Sequence, residues 1–311
     1  MYIGIDLGGT NIAAGVVDAD GRLISSGAVP TRSERPTIEI VRDMAELARE
    51  VAADCGMELA DIKAVGIGCP GTINFETGEV IYSNNIKMEH FPLAEEFRKL
   101  ADLTVKVDND ANCAAMGEYL VNGGGAKSFM LITLGTGVGS GLVVNGSVYR
   151  GFNGAASEAG HITLVSGGEL CTCGKKGCWE AYASATALVK QTEKAMEEHP
   201  ESLMHKVAEE FGKINGQTAF LAAKSGDEAA QAVVDAYIRY VADGIVSVEN
   251  MLQPEVIAIG GGISREGEGL LGPVRDYVEK NGFNKFMEKT RITAAGLFND
   301  AGIIGAAAIA M

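Results

Sequence analysis

One local pattern occurs twice in this chain, and it constrains the fold more than any other feature. Tyr2-Ile3-Gly4-Ile5-Asp6 is a short apolar strand, Leu7-Gly8-Gly9-Thr10-Asn11 is turn chemistry, and the apolar run Ile12–Val17 leads into the turn Asp18-Ala19-Asp20-Gly21. The same order returns as Leu131–Leu134, Gly135-Thr136-Gly137-Val138-Gly139, Gly141–Val144 and Asn145-Gly146. Gly9 and Gly15 map onto Gly135 and Gly141 at one common offset, so the spacing predicts a duplicated architecture with one such hairpin opening each half. Glycine turns after apolar strands let backbone N–H groups approach a phosphate closely. A tight hairpin is the simpler account of either turn alone. Two at matched positions, each with a threonine hydroxyl (Thr10 and Thr136), point to a polyphosphate.

The remaining elements alternate. Thr37 caps a predicted helix with apolar positions Ile40, Val41, Met44, Leu47, Ala48 and Val51, ended by Gly56. Ile62–Cys69 and Leu103–Val107 read as strands, Leu93–Ala101 as a helix, and a further helix begins over Asn112–Leu120. In the second half Ala185–Glu198, Asp227–Leu252 and Glu266–Lys280 read as helices, and Val256–Ile259 and Arg291–Ala295 as strands. Asp300 caps a final helix over Ala301–Ala310. Alternating strands and helices predict α/β sheets with a large parallel component. The 311 residues suit about two domains. No low-complexity linker divides them, so the run Asn122-Gly123-Gly124-Gly125 is the expected hinge.

Charge narrows the partners. Lys and Arg number 26 against 41 Asp and Glu, a formal charge of −15, which opposes association with nucleic acid or anionic lipid. The longest uncharged stretch, Ser128–Tyr149, is broken by five glycines and makes a poor transmembrane helix. The apolar tail Ala301–Met311 is too short to span, and Asp6 interrupts the first apolar run, so no signal peptide is expected. These features predict a cytoplasmic protein. Six cysteines are too few and too uneven for a disulfide scaffold, and Cys55, Cys69 and Cys113 read as free thiols among apolar neighbours.

Two phosphate motifs are excluded by context. Gly66-Ile67-Gly68-Cys69-Pro70-Gly71 spells the dinucleotide fingerprint, but that motif must open a helix and Thr72–Gly78 reads as loop. Gly125-Ala126-Lys127-Ser128 lacks the glycine that a Walker motif has before its lysine.

Two other clusters carry chemistry. Val107-Asp108-Asn109-Asp110-Ala111-Asn112 places carboxylates and amides at the carboxyl end of a strand, where open α/β sheets bind ligands. Asp110 is either a helix N-cap or, beside a nucleoside triphosphate, a candidate general base for a hydroxyl nucleophile. His161, Cys171, Cys173 and Cys178 lie in a glycine-rich stretch and match a closed tetrahedral Zn²⁺ site of the Cys₃His type. With all four positions taken by protein, such a metal is structural and pins the loop carrying Glu158, His161 and Glu180.

Taken in order, Asp6-Leu7-Gly8-Gly9-Thr10, Asp108–Asn112, Gly135–Gly139, Glu158-Ala159-Gly160-His161 and Cys171-x-Cys173-Gly174-x-x-Gly177-Cys178-x-Glu180 resemble the ROK family (repressor, open reading frame, kinase) of sugar kinases, and within it the bacterial ATP-dependent glucokinases. The match runs from Met1 to the final helix. The resemblance implies the actin-like ATPase (ribonuclease H-like) fold, two α/β domains around a cleft, and a homodimer or dimer of dimers. Residues 1–120 with about 296–311 would form the smaller domain, and 121–295 the larger one with the zinc loop. It implies ATP-dependent phosphorylation of a hexose 6-hydroxyl, glucose first, with Asp110 as base. Gly71, Asn85, Asn109, Asp110, Glu158, His161 and Glu180 would contact the sugar, His161 serving zinc as well. Gly9, Thr10, Asn11, Thr136 and Gly137 would face the phosphates of ATP, Asp6 the Mg²⁺ region, and Gly261 and Gly262 the adenosine.

Glucokinases of this family often carry a tryptophan shortly after the pocket asparagine, whereas Ile86–Phe91 holds none here. N-acetylmannosamine, N-acetylglucosamine and fructose therefore stand behind glucose as substrates. Two other classes remain: a sugar-sensing repressor, opposed by the first strand starting at Tyr2 and by the charge, and an actin-like ATPase that binds protein, which leaves Glu158, His161 and Glu180 beside a zinc loop without a role.

Overall fold

A computed structural model describes residues 1–84 and 86–311. The first half contains β1 (Tyr2–Leu7), β2 (Asn11–Val17), β3 (Leu23–Pro30), α1 (Thr37–Ala53), β4 (Ala64–Cys69), β5 (Thr72–Asn74), β6 (Glu79–Ser83), β7 (Met88–Phe91), α2 (Leu93–Arg98), β8 (Thr104–Asn109) and α3 (Asp110–Asn122). The second contains β9 (Ser128–Leu134), β10 (Val138–Val144), β11 (Ser147–Val148), α4 (Glu180–Ala183), α5 (Ala185–Glu198), α6 (Met204–Phe211), α7 (Thr218–Lys224), α8 (Glu228–Leu252), β12 (Val256–Gly260), α9 (Glu268–Asn281), β13 (Arg291–Ala294) and α10 (Asp300–Ile309).

The predicted duplication is present in the sheets. One five-stranded sheet runs β3-β2-β1-β4-β8, and another runs β11-β10-β9-β12-β13. Each holds three consecutive strands in reversed order, followed by two later ones. In the first, β1 pairs antiparallel with β2, β2 with β3, and the parallel ladders β1–β4 and β4–β8 complete it. The second ends in the parallel pair β12–β13. A third sheet, β5-β6-β7, is antiparallel throughout.

Contacts divide the described residues into two compact units. One contains residues 1–131, 141–157 and 296–311, and the other residues 132–140 and 158–295. In the first unit, α1 buries Ile40, Val41, Met44, Leu47, Ala48 and Val51, the apolar positions read from its periodicity. α10 is apolar on all sides and buries eight of its residues, so it must be surrounded by protein. Glycines make that possible. A Cβ on Gly4 would lie 1.8 Å from the Ile303 carbonyl oxygen, one on Gly66 1.5 Å from that of Ala306, and one on Gly305 1.6 Å from that of Cys113. The helix thus sits directly on β1, β4 and α3. In the second unit the core includes Trp179, Leu188, Tyr237, Val241 and Ile245, all buried, with α8 as its longest helix.

Several local expectations are corrected. Thr37 lies inside α1, and the preceding Pro36 caps it without a side-chain bond, since its fixed φ suits a helix start. Asp300 is likewise the first residue of α10 rather than its cap, which is Asn299. Thr72–Asn74 is a short strand rather than loop, because it pairs with β6. It is still not a helix, so the dinucleotide fingerprint fails as expected. Gly262–Glu266 forms a 3₁₀ turn, and α9 begins only at Glu268. Among the described residues, no helix is long and apolar enough to cross a membrane. Cys55, Cys69 and Cys113 are free thiols.

Candidate functional site

In the first unit, the Gly8–Asn11 turn joins β1 to β2 and leaves Thr10 and Asn11 exposed. Its carbonyls are tied from the end of β3: Thr31 donates its hydroxyl to Gly8 O at 2.6 Å and its amide to Thr10 O at 2.8 Å. Gly9 sits between these two anchors. The backbone is thereby held while the two polar side chains stay available.

The Asp108–Asn112 turn closes β8 and starts α3. Asn109, not Asp110, is the helix cap: its Oδ1 accepts the amides of Ala111 at 2.9 Å and Asn112 at 3.2 Å. Asp110 is then free of capping duty as the first residue of the helix, and its carboxylate takes the Ala111 amide at 2.9 Å. Burial pushes the Asp110 carboxyl above its ordinary range, against the lowering effect of these hydrogen bonds. Asp6 on β1 is pushed up to about 6, by burial first and then by the Asp110 charge. The two carboxylates therefore interact. Asn109 also donates its side-chain amide to Gly71 O at 3.1 Å. Gly71 has φ +116°, and a Cβ there would stand 2.1 Å from Tyr82 O, so only glycine fits. Asp6, Gly71, Asn109 and Asp110 are thus brought together, and Asn85 lies outside the described residues.

Asp108 and Arg150 are paired by the fold, although neither stands in a motif that names the other. They form an ion pair at 2.7 Å, with Arg150 stacked 3.6 Å from the centroid of Phe75. The pairing spans 42 residues and has no local signature.

In the second unit, the turn between β9 and β10 is held from α5. Ala185 donates its amide to Gly135 O, and Thr186 its hydroxyl to Thr136 O, both at 2.8 Å. The Thr136 side chain is exposed. Glu180 reaches this turn from the start of α4 and accepts the Val138 amide at 3.1 Å. Gly261 has φ +82°, and a Cβ on it would lie 2.4 Å from Leu134 O, whereas nothing comes within 4 Å of a Cβ on Gly262. The Gly261-Gly262 turn therefore packs on the end of β9 and keeps an open side. Glu158 is exposed, just before the 3₁₀ turn Ala159–His161 that carries the histidine.

The ligand atoms of His161, Cys171, Cys173 and Cys178 lie within 4.8 Å of one another. Cys173 Sγ is 3.7 Å from Cys178 Sγ, and Cys171 Sγ is 3.7 Å from His161 Nδ1. Tetrahedral Zn²⁺ with Zn–S bonds near 2.3 Å separates neighbouring sulfurs by about 3.8 Å, so donor set and spacing both fit the ion. Backbone bonds knit the loop around them, including Cys171 N to Lys175 O at 2.9 Å and Leu164 N to Gly177 O at 2.8 Å. Trp179 anchors it: the buried indole donates to Tyr240 O at 2.8 Å and fills the space that a side chain on Gly244 would need.

Comparison with known proteins identifies the family. The model of the ROK family matches residues 2–311. A glucokinase of Halalkalibacterium halodurans is 37% identical over 306 residues, covering 98% of this chain and 93% of that protein. A glucokinase of Streptomyces coelicolor is 39% identical over 318 residues, covering 100% and 97%. The crystal structure of a ROK family glucokinase from Streptomyces griseus in complex with glucose and AMPPNP superposes with a TM-score of 0.84 at 35% identity, covering 99% of this chain and 98% of that one. With a family match along nearly its whole length and relatives this similar, the chain belongs to the ROK family.

Proposed function

We propose that this protein is an ATP-dependent hexose kinase that transfers the γ-phosphoryl group of ATP to the 6-hydroxyl of glucose, with Asp110 as general base. The observation that carries the reading is the Asp110 carboxylate. It is relieved of capping by Asn109, oriented by the Ala111 amide, and raised in proton affinity by burial. A positioned carboxylate of that kind suits proton abstraction from an alcohol.

The hydroxyl oxygen bonds to the γ-phosphorus, the bond from that phosphorus to the ADP oxygen breaks, and the hydroxyl proton passes to Asp110. Gly71, Asn85 and Asn109 are assigned to sugar hydroxyls, as are Glu158, His161 and Glu180. Nδ1 of His161 faces the sulfurs, which leaves Nε2 for a hydroxyl. Gly9, Thr10, Asn11, Thr136 and Gly137 are assigned to the phosphates, and Gly261 and Gly262 to the adenosine. Mg²⁺ bound with ATP would neutralise phosphate charge, and Asp6, crowded by the Asp110 charge, is the carboxylate assigned to its region. His161, Cys171, Cys173 and Cys178 would hold Zn²⁺, which would stiffen the loop that carries Glu180. A reducing cytoplasm, which keeps these cysteines reduced and available to a metal, is the compartment this reading favours. Assembly as a homodimer follows from the family resemblance and is checked by light scattering.

The test is ADP release with MgATP against glucose, mannose, fructose, N-acetylmannosamine and N-acetylglucosamine. Glucose is expected to give the largest kcat/KM. A larger value with another sugar would reassign the substrate, and no release with any of them would favour a sugar-sensing regulator.

A further inference from the structure

Asp108 has no part in the proton transfer, yet only 3% of its side chain is exposed and every direction around it is used. Its Oδ1 accepts the Asn109 amide at 2.8 Å and the Asn112 side-chain amide at 3.0 Å. Its Oδ2 accepts Arg150 Nε at 2.8 Å and lies 2.7 Å from Arg150 Nη2. Arg150 donates in turn from Nη1 to Val148 O at 3.3 Å. Its Cζ sits over the Phe75 ring 3.6 Å from the centroid, and Lys106 Nζ stands 5.1 Å from the same centroid. Phe75 follows directly on β5, the strand that leaves Gly71. A continuous set of contacts thus runs from the β5–β6 hairpin through Phe75, Arg150 and Asp108 to the turn bearing Asn109 and Asp110.

A buried ion pair is weak evidence for stability, since apolar replacements of similar volume often hold a fold as well. What an apolar pair lacks is an acceptor for the two amides that set the direction of the Asn109–Asn112 turn. Asp108 supplies that acceptor, and Arg150 offsets its buried charge. The fork also fits two tasks at once, gripping the carboxylate edge-on while stacking its face on an aromatic ring, which lysine does poorly.

We propose that Asp108 and Arg150 are positioning residues for phosphoryl transfer, the pair orienting the Asn109–Asp110 turn and, through Phe75, setting the β5–β6 hairpin that carries Gly71 at its root. The proposal rests on the reading of Asp110 as the base. Orientation errors near the reacting atoms lower turnover far more than they lower stability, by about 10²-fold for a displacement of about 1 Å.

The experiment uses the full-length protein and the variants Arg150→Met, Arg150→Lys, Asp108→Asn and Phe75→Leu. Each is measured for kcat, KM for glucose and for ATP, glucose binding by calorimetry, and melting temperature. Arg150→Met and Asp108→Asn are expected to lose about 10²-fold in kcat and to bind glucose more weakly, with KM for ATP little changed. Arg150→Lys recovers part of the kcat, because the charge returns without the fork. If Arg150→Met does not fold, Phe75→Leu removes the stacking alone and is expected to raise KM for glucose. Folded Arg150→Met or Asp108→Asn with wild-type kcat and glucose affinity would overturn the proposal, as would a kcat that merely follows the folded fraction. Asp110→Asn run in parallel separates the two claims: turnover retained there would sink the base assignment, while the glucose affinities of the Arg150 variants would still report on the orientation of Asn109 and Gly71.

Discussion

Glu180 Oε2 stands 2.3 Å from where a Cβ on Gly137 would be, and it accepts the Val138 amide at 3.1 Å. The other oxygen accepts the Thr172 hydroxyl at 2.9 Å, beside Cys171. One carboxylate therefore serves both the turn after β9 and the cysteine loop. Gly137→Ala is expected to displace it and to raise KM for ATP by about tenfold, equivalent to about 1.4 kcal/mol. Initial rates at varied ATP check this, and an unchanged KM would count against a phosphate-facing turn.

The cysteine loop supplies a second prediction. Purified protein should contain zinc in equimolar amount, and Cys178→Ser should lose it along with a large share of stability, more than about 4 kcal/mol, as for other structural metal losses. Metal analysis and thermal melts before and after chelation measure both. A variant that melts like the wild type would contradict a metal-pinned loop.

The carboxylate pair makes stability and activity oppose each other. Asp6 rises from 3.8 to about 6 on folding, so the folded state without ligands binds that proton more tightly than the unfolded chain. Its contribution is fully present below 3.8 and is lost as pH rises through about 6. Asp6→Asn is therefore expected to melt higher than the wild type at about pH 8 and to lose that advantage near about pH 4, while turnover falls. The rate itself should rise with pH above the ordinary carboxylate range, because burial raises the Asp110 carboxyl in the same direction.

Close packing of α10 gives a fourth. A Cβ on Gly305 would lie 1.6 Å from Cys113 O, so Gly305→Ala must drive α3 and α10 apart. A loss of about 3 kcal/mol is expected, at the upper end for overpacking. Gly269→Ala in α9 meets nothing within 4 Å and should gain up to about 1 kcal/mol instead. Denaturant titrations of the two variants compare them directly.

Much of this was legible in the chain because it is written locally. The repeat of Gly9 and Gly15 at Gly135 and Gly141 anticipates two sheets with matching strand order. The spacing of Cys171, Cys173 and Cys178 behind His161 anticipates the cluster, since a metal site needs donor types in a short loop. What escaped depends on pairing at a distance or on weak patterns. β7 exposes Glu89 and His90 in succession, so no alternation marks it as a strand. The short helices α6 and α7, of 8 and 7 residues, span about two turns each, too few for a clear apolar period. Asn109 and Asp110 are both good caps by residue type, and only the backbone geometry decides between them. The Asp108–Arg150 pair is invisible for the same reason, because neither neighbourhood names its partner.

The most direct test of the central claim compares Asp110→Asn with the wild type for both turnover and glucose affinity. An amide of the same shape keeps the hydrogen bond from Ala111 and the helix start, but it cannot accept the hydroxyl proton. The account predicts that ADP release with glucose falls by about 10²–10⁴-fold while the glucose Kd measured by calorimetry stays within a few-fold of wild type. Turnover that survives the substitution would contradict it.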